Sequence, residues 1–247
     1  MSIYVIGDIH GCINTLRALC EKIPSDAKIV FTGDLIDRGP NSRAVIDFVR
    51  SNNFDCVLGN HDLEFSKLEF IKSVDNFSIP YLSPEIYNSN WGIDSSLENY
   101  FYPYDIKNIY NRLPLKLEKY DKEQYLIDRE FLCSLPIAKR YKVPGHMDLV
   151  VSHSFINEFH GEELESYTYF EIEEVLFRHV FKNGILLVED KKRDFFNIFG
   201  HTAVYMEPTI MNNFALIDTG AVFGGKLTAL KYPEMEIIQQ ELLDEKF

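Results

Sequence analysis

The 247-residue chain has one tryptophan, Trp91, and four cysteines, Cys12, Cys20, Cys56 and Cys133. No two of those cysteines form a C-x-x-C pair, which argues against a zinc knuckle or a thioredoxin-type centre. They read instead as small thiols of a reducing compartment. Positive charge is also scarce. With 25 Lys and Arg against 38 Asp and Glu, the net charge is −13, which argues against a general nucleic-acid or anionic-membrane surface. No apolar run approaches the ~20 residues of a membrane span. The N-terminus has no basic region and no small-residue cleavage site before Ile3-Tyr-Val-Ile6. A cytoplasmic, soluble protein is the expectation, with export by a specialised secretion system as the alternative. No Gly/Ser/Pro-rich linker, like-charge block or long repeat divides the chain, so one domain over residues 1–247 is expected. Nothing in the composition specifies an oligomeric state.

What is present is a repeated theme in the first seventy residues. A short apolar run ends in Gly plus polar residues, and an amphipathic helix follows. Ile3–Ile6, Ile29–Phe31 and Cys56–Leu58 are the predicted strands. The helices follow Gly7-Asp-Ile-His-Gly11, Gly33–Pro40 and Gly59-Asn-His-Asp62, the third running from Leu63 to about Ile71. This alternation implies a mainly parallel sheet covered by helices. From about Ser73 to Asp121 the pattern dissolves into Tyr-, Asn-, Ser- and Pro-rich sequence. That stretch reads as an inserted helical or irregular cap, or as an irregular surface loop. A helix over Asp128–Leu135, with Asp128 as its N-cap, leads into the second half. There the predicted strands are Lys139–Val143, Asp148–Ser152, Phe195–Phe199, Phe214–Ile217 and Leu227–Lys231, with a Pro144-Gly145 turn and a helix around Glu171–Phe181. The fold class expected is α/β, with two mixed β-sheets packed together and flanked by helices.

Three of the strand-end loops carry metal-competent side chains. Asp8 and His10 are two residues apart, so on extended backbone both reach one side. Asp34 closes the second strand, and Asn60 and His61 close the third. The carboxyl ends of strands in an open α/β sheet are where ligands bind. Asp, His and Asn together form a borderline-hard donor set that suits Mn²⁺, Fe²⁺ or Zn²⁺. A carboxylate at Asp34 is able to bridge two ions ~3.5–4 Å apart.

The series Gly7-Asp-x-His-Gly11, Gly33-Asp-x-x-Asp-Arg-Gly39 and Gly59-Asn-His-Asp62 resembles the calcineurin-like metallophosphoesterase superfamily. The Asp37-Arg38 step resembles its phosphoprotein phosphatase branch, which holds protein Ser/Thr phosphatases, small bacterial and phage phosphatases, and symmetrical diadenosine tetraphosphate hydrolases. The resemblance resumes at Val151-Ser-His-Ser154, Phe199-Gly-His-Thr202 and Ile217-Asp-Thr-Gly-Ala-Val-Phe-Gly-Gly225. It implies a metallophosphoesterase β-sandwich of four αββα layers. It also implies two divalent ions, manganese first, with iron or zinc as alternatives. Asp8, His10 and Asp34 match the first metal set; Asp34, Asn60, His153 and His201 match the second. His61 matches the general acid, Asp37 the carboxylate that orients it, and Arg38 a phosphate clamp. A second clamp arginine usually lies between the two late histidines. Arg178 is the candidate, and Arg193 the alternative. His146, His160 and His179 have no motif support and read as structural or surface residues.

Three departures from the branch bear on substrate. Asp62 stands where the protein phosphatases usually have Glu, and Ser154-Phe155 replaces a smaller segment after His153. The C-terminal signature of the large eukaryotic phosphatases is absent, and the ending Asp218-Thr-Gly with Gly224-Gly225 is more similar to the bacterial members and diadenosine polyphosphate hydrolases. The resemblance implies phosphomonoester hydrolysis, first as a Ser/Thr-type protein phosphatase, by in-line attack of a hydroxide bridging the two ions. Symmetrical diadenosine tetraphosphate hydrolysis is the alternative. A catalytically silent scaffold is the alternative of another class. The expected partners are a phosphorylated protein, a small phosphoester or a dinucleoside polyphosphate. Trp91 and the tyrosines Tyr81, Tyr87, Tyr100, Tyr102 and Tyr104 either line the pocket or form a small core of their own.

Overall fold

The computed structural model describes residues 2–72, 78–81, 92–105, 108–109, 116–182, 185–188 and 193–245. The first half runs β1 (Ile3–Ile6), α1 (Ile13–Cys20), β2 (Lys28–Phe31), α2 (Ser42–Ser51), β3 (Asp55–Cys56) and α3 (Asn60–Ser66). Then come β4 (Glu69–Lys72), β5 (Ser78–Tyr81), α4 (Ile93–Leu97), β6 (Phe101–Tyr102), β7 (Lys119–Tyr120) and α5 (Lys122–Cys133). The second half holds β8 (Ala138–Tyr141), β9 (Asp148–Ser152), α6 (Tyr169–Phe177), β10 (Phe181–Lys182), β11 (Ile185–Leu186) and β12 (Phe195–Phe199). It ends with β13 (Thr209–Ile210), β14 (Phe214–Leu216), β15 (Lys226–Tyr232) and β16 (Glu236–Glu241).

Two five-stranded mixed sheets organise these elements. The first has the order β16-β15-β1-β2-β3, the second β13-β14-β12-β9-β8. In the first, β1, β2 and β3 are parallel, β15 is antiparallel to β1, and β16 is antiparallel to β15 and so runs with β1. In the second, β9, β12 and β14 are parallel, with β8 and β13 antiparallel at the edges. Alternation along each strand splits the side chains between two faces. Ile3, Val5, Val30 and Leu230 of the first sheet cluster with Leu149, Val151, Phe196, Ile198 and Ala215 of the second. This is the interlayer core. The opposite face of β1, with Tyr4 and Ile6, packs with Leu16 and Leu19 of α1 and Val45 and Val49 of α2. The outer face of the second sheet carries a third cluster around Phe155, Phe199 and Phe214. The two-sheet α/β class expected from the sequence is the observed one. Among the described residues, no helix is long and apolar enough to cross a membrane.

Several expected boundaries move. The third helix ends at Ser66, not near Ile71, because Glu69–Lys72 is a strand paired antiparallel with Ser78–Tyr81. The helix placed at Asp128–Leu135 begins at Lys122. Its cap is Asp121, whose side chain accepts from Gln124 N at 3.2 Å. Asp128 lies inside that helix, buried, and accepts from Arg50 Nη1 at 2.6 Å and Tyr100 OH at 2.7 Å. The helix expected over Glu171–Phe181 runs Tyr169–Phe177, capped by Thr168 with Glu171 in a capping box. β4 to β7, β10, β11, β13 and β16 are strands that the sequence pattern does not predict.

Trp91 and Tyr87 lie outside the described residues. Of the other tyrosines between 73 and 121, Tyr100 and Tyr104 are buried in the same apolar cluster as α1 and α2. They are not in a small core of their own. Tyr81 is half-buried and Tyr102 exposed.

Candidate metal centre

The parallel strands of both sheets end at one place. β1 delivers Asp8 and His10, β2 delivers Asp34, and the turn into α3 delivers Asn60 and His61. β9 and β12 of the second sheet deliver His153 and His201. All seven side chains are buried or nearly so. His10 (φ 46°), Asp34 (51°), Asp37 (69°), Arg38 (66°) and His201 (67°) all have left-handed backbone, a region that non-glycine residues enter at a cost. Such strain collects where a fold holds a functional geometry. A Cβ at Gly200 would collide with Asp8 Oδ1, and one at Gly59 with Asp34, so these glycines let the two sheets close on the cluster.

Two groups of donors lie within binding reach of one ion each. His10, Asp34 and His61 form one, and Asp8, Asp34 and His153 the other. Asp34 belongs to both. Its Oδ2 is 3.5 Å from His10 Nε2 and its Oδ1 is 3.5 Å from His153 Nε2. Asn60 Oδ1 sits 2.8 Å from His153 Nε2 and 3.0 Å from His201 Nδ1. Asp34 is thus the carboxylate common to both groups, and Asn60 lies against the His153 and His201 rings beside the second.

The outer contacts of these side chains fix their orientation. His10 Nδ1 faces Ile36 O at 2.8 Å and His153 Nδ1 faces Thr32 O at 2.8 Å, which leaves each Nε2 turned inward. Asp8 accepts from Thr32 Oγ1 at 2.9 Å and from His201 N at 2.9 Å. Burial holds the His10, His153 and His201 imidazoles below their ordinary pKa, His201 at about 3, so each keeps a lone pair for an ion. Burial raises Asp8, with Asp218 and Asp34 adding to the rise. Burial likewise brings Asp218 to about 6 and Asp62 to about 7, with Asp34 contributing to both. Asp34 moves the other way: burial opposes its charge, but His153, His61 and His10 outweigh it and lower the pKa. Four buried carboxylates beside nitrogen donors, with no thiolate among them, fit hard-to-borderline divalent cations.

Asp62, read from sequence only as a departure from Glu, joins two loops. Its Oδ2 accepts from Asp34 N at 2.9 Å and Gly59 N at 3.0 Å, and its Oδ1 from Leu35 N at 3.1 Å. His61 Nδ1 meets Asp37 Oδ2 at 2.8 Å. Burial opposes a charged His61, but Asp34 and then Asp37 outweigh it and raise its pKa. Arg38 lays Nη1 on His10 Nε2 and its guanidinium 5.2 Å from the Phe223 ring.

These groups open into a cavity of about 190 Å³ lined by Asp34, Arg38, Asn60, His61, Phe177, His179 and His201. Arg178 is not among its lining residues. Its guanidinium leans the other way, 3.7 Å from Glu174 and 5.5 Å from the Phe155 ring. A larger hollow of about 280 Å³ lies on that side and contains none of the donors. Arg193 is engaged with Ile156 O at 3.1 Å and Asn213 Oδ1 at 2.6 Å. His179, read from sequence as a structural or surface residue, is exposed but lines the cavity, its ring 4.7 Å from that of His201. His146 and His160 are not among the cavity's lining residues.

Two facing mixed sheets with Asp, His and Asn donors at their shared carboxyl edge define a metal-dependent hydrolase of phosphoric esters. The lineage is specific: the sequence model described as calcineurin-like phosphoesterase matches residues 1–234, and the chain belongs to that family. Among curated relatives, the bis(5'-nucleosyl)-tetraphosphatase PrpE [asymmetrical] of Bacillus thuringiensis (strain Al Hakam) is 27% identical over 95% of this chain and 92% of its own length. The protein of the same name from Bacillus cereus (strain AH187) is 28% identical over the same shares. A solved structure described as a candidate diadenosine tetraphosphatase shares the fold, with TM-score 0.59, 21% identity, and coverage of 97% of this chain and 93% of its own. A protein serine/threonine phosphatase from Saccharomyces cerevisiae does so with TM-score 0.52, 13% identity, and coverage of 100% and 81%.

Proposed function

We propose that the chain hydrolyses dinucleoside polyphosphates at this centre, cutting a tetraphosphate asymmetrically into a nucleoside triphosphate and a monophosphate. The observation that carries the reaction class is the position of Asp34, a single carboxylate shared by two donor groups. Similarity along almost the whole length to relatives named for that activity supports the substrate class. It also favours the asymmetrical over the symmetrical cut. Two divalent ions, manganese first, would be held by Asp8, His10, Asp34, Asn60, His153 and His201; when bound they supply charge to the phosphoryl oxygens and acidify water. The chain's own groups do the rest. Arg38, leaving His10, clamps phosphoryl oxygens with a planar guanidinium. His61, its Nδ1 taken by Asp37, presents Nε2 to the leaving oxygen and protonates it. Four free thiols suit a reducing, cytoplasmic setting.

The His61–Asp37 pair also favours a second reading, a Ser/Thr-type protein phosphatase, because an alkoxide leaving group needs a proton more than a nucleotide does. One panel separates the two. Dinucleoside tetraphosphate, nucleotides and phosphopeptides are compared with Mn²⁺, and products are resolved by ion-exchange chromatography. A higher kcat/KM for phosphopeptides than for the dinucleotide overturns the first reading. Replacing His61 by Asn is expected to keep the metal content and cut turnover of an alkyl phosphate by ~10²–10⁴. Normal turnover of that ester by the variant refutes the acid role.

A further inference from the structure

The Asp37 carboxylate is held from two sides. Oδ2 accepts from His61 Nδ1 at 2.8 Å, and Oδ1 accepts from Ser96 Oγ at 2.5 Å. The backbone N–H of Asp37 donates to the same Ser96 Oγ at 2.8 Å and to Ser42 Oγ at 3.1 Å. The two hydroxyls are 2.8 Å apart. Asp37, Ser42 and Ser96 are all fully buried. A carboxylate only accepts, so the single Ser96 proton goes to Asp37, and Ser42 must donate to Ser96. The protons then run in one order: Ser42 to Ser96, Ser96 to Asp37, and His61 Nδ1–H to Asp37.

Ser96 comes from α4, in the stretch between Ser73 and Asp121 where the strand–helix alternation is lost, and it belongs to none of the strand-end loops. Its neighbours grip the same loop. Gly92 O accepts from Arg38 N at 3.2 Å, and Asn99 Nδ2 donates to Pro40 O at 3.3 Å. Asn99 Oδ1 accepts from Arg43 N at 3.3 Å. Residues 92–99 therefore brace the left-handed Asp37-Arg38 step, a backbone that needs such support.

We propose that Ser96 is a positioning residue for proton delivery to the leaving group, so that the α4 segment completes the acid apparatus without touching the metal donors. This rests on reading His61 as the acid. The test compares Ser96→Ala, Ser96→Thr and His61→Asn in the Mn²⁺-loaded full chain on an alkyl phosphate and on 2,4-dinitrophenyl phosphate, whose leaving group departs unprotonated. Ser96→Ala is expected to lose about 10–100-fold in kcat on the alkyl ester, the usual range for an orienting outer partner. It should keep KM, metal content and most turnover of the dinitrophenyl ester, and Ser96→Thr should recover the loss. Equal losses on both esters, or none on the alkyl ester, overturn the proposal while leaving the acid reading intact if His61→Asn discriminates between them. Should His61→Asn itself fail to discriminate, the acid reading falls and the proposal with it. If Ser96→Ala does not fold, Ser96→Cys, of similar size, takes its place under the same criteria.

Discussion

Asp62 is one side chain with three backbone partners, Asp34 N, Leu35 N and Gly59 N, and it is fully buried. Removing it strands three N–H groups in the loops that carry two candidate ligands. Asp62→Ala is expected to cost on the order of 3 kcal/mol or more in chemical denaturation and to lower metal content. Asp62→Asn should recover only part, since its amide nitrogen cannot accept. Unchanged stability and metal content in Asp62→Ala would show that the loops hold themselves. The residues legible in the sequence share one property: each sits next to a glycine or a strand end in a short motif, as Asp8, Asp34, Asn60 and His201 do. Ser96 had no such signal, its partner Asp37 lying 59 residues away, and Asp62, though inside the third motif, owes its bridging role to Asp34 N and Leu35 N, 28 and 27 residues away. His179 is adjacent to Arg178, and only the turn of the backbone after α6 decides which of the two faces the cavity.

Among the elements, local patterning marked the inner strands of the two large sheets but not the edge strands β13 and β16 or the two-stranded hairpins. Ile3–Ile6, and Phe195–Phe199 with Asn197 as its one polar residue, are fully buried runs of the kind a covered parallel strand requires. Helix ends were less legible. Glu69–Lys72 leaves the helical register to pair with Ser78–Tyr81, a partner the sequence does not name. Asp128 has the chemistry of a cap but is paired with Arg50 and Tyr100 instead. Helix α1 shows the same non-locality. Its own N-cap position, Cys12, makes no side-chain cap bond. Asp244, from the far end of the chain, accepts from Asn14 N at 3.1 Å and from Thr15 N at 2.9 Å. A carboxylate there also meets the positive end of the helix. Asp244→Ala is therefore expected to destabilise the protein by about 1 kcal/mol, the usual cost of a lost cap. Urea unfolding with an unchanged midpoint would remove Asp244 from that role.

At the scale of the whole molecule, the two sheets are tied at an edge and at the site. Asp55 of β3 meets Lys28 at 2.5 Å in its own sheet, and Lys139 at 2.9 Å and Tyr141 OH at 2.7 Å in the other. Burial pushes its pKa up, but Lys28, Tyr141 and Lys139 outweigh burial and hold it below the usual carboxylate value. A depressed folded pKa gives stability that is present above the unfolded value of ~3.9 and is lost as pH falls through the folded one. Asp55→Asn should cost about 1 kcal/mol at neutral pH, with the difference from wild type closing as pH falls below the unfolded carboxylate value. A pH-independent difference in melting would attribute the loss to packing. The second tie is the candidate metal centre. Asp8, His10, Asp34 and Asn60 come from one sheet and its loops, His153 and His201 from the other, so ions bound there would join the two layers. Ligand that binds only the folded state stabilises by mass action, ~2.7 kcal/mol at a hundredfold excess over Kd. For a chain of this size, chelation should then lower Tm by about 5–10 °C, and added Mn²⁺ should restore it. His153→Ala and His201→Ala should each shrink that metal-dependent shift, while Arg178→Ala, pointing away from the cavity, should not. A full Mn²⁺-dependent rise in Tm in both histidine variants would mean that the ions sit on the first sheet alone and do not join the layers.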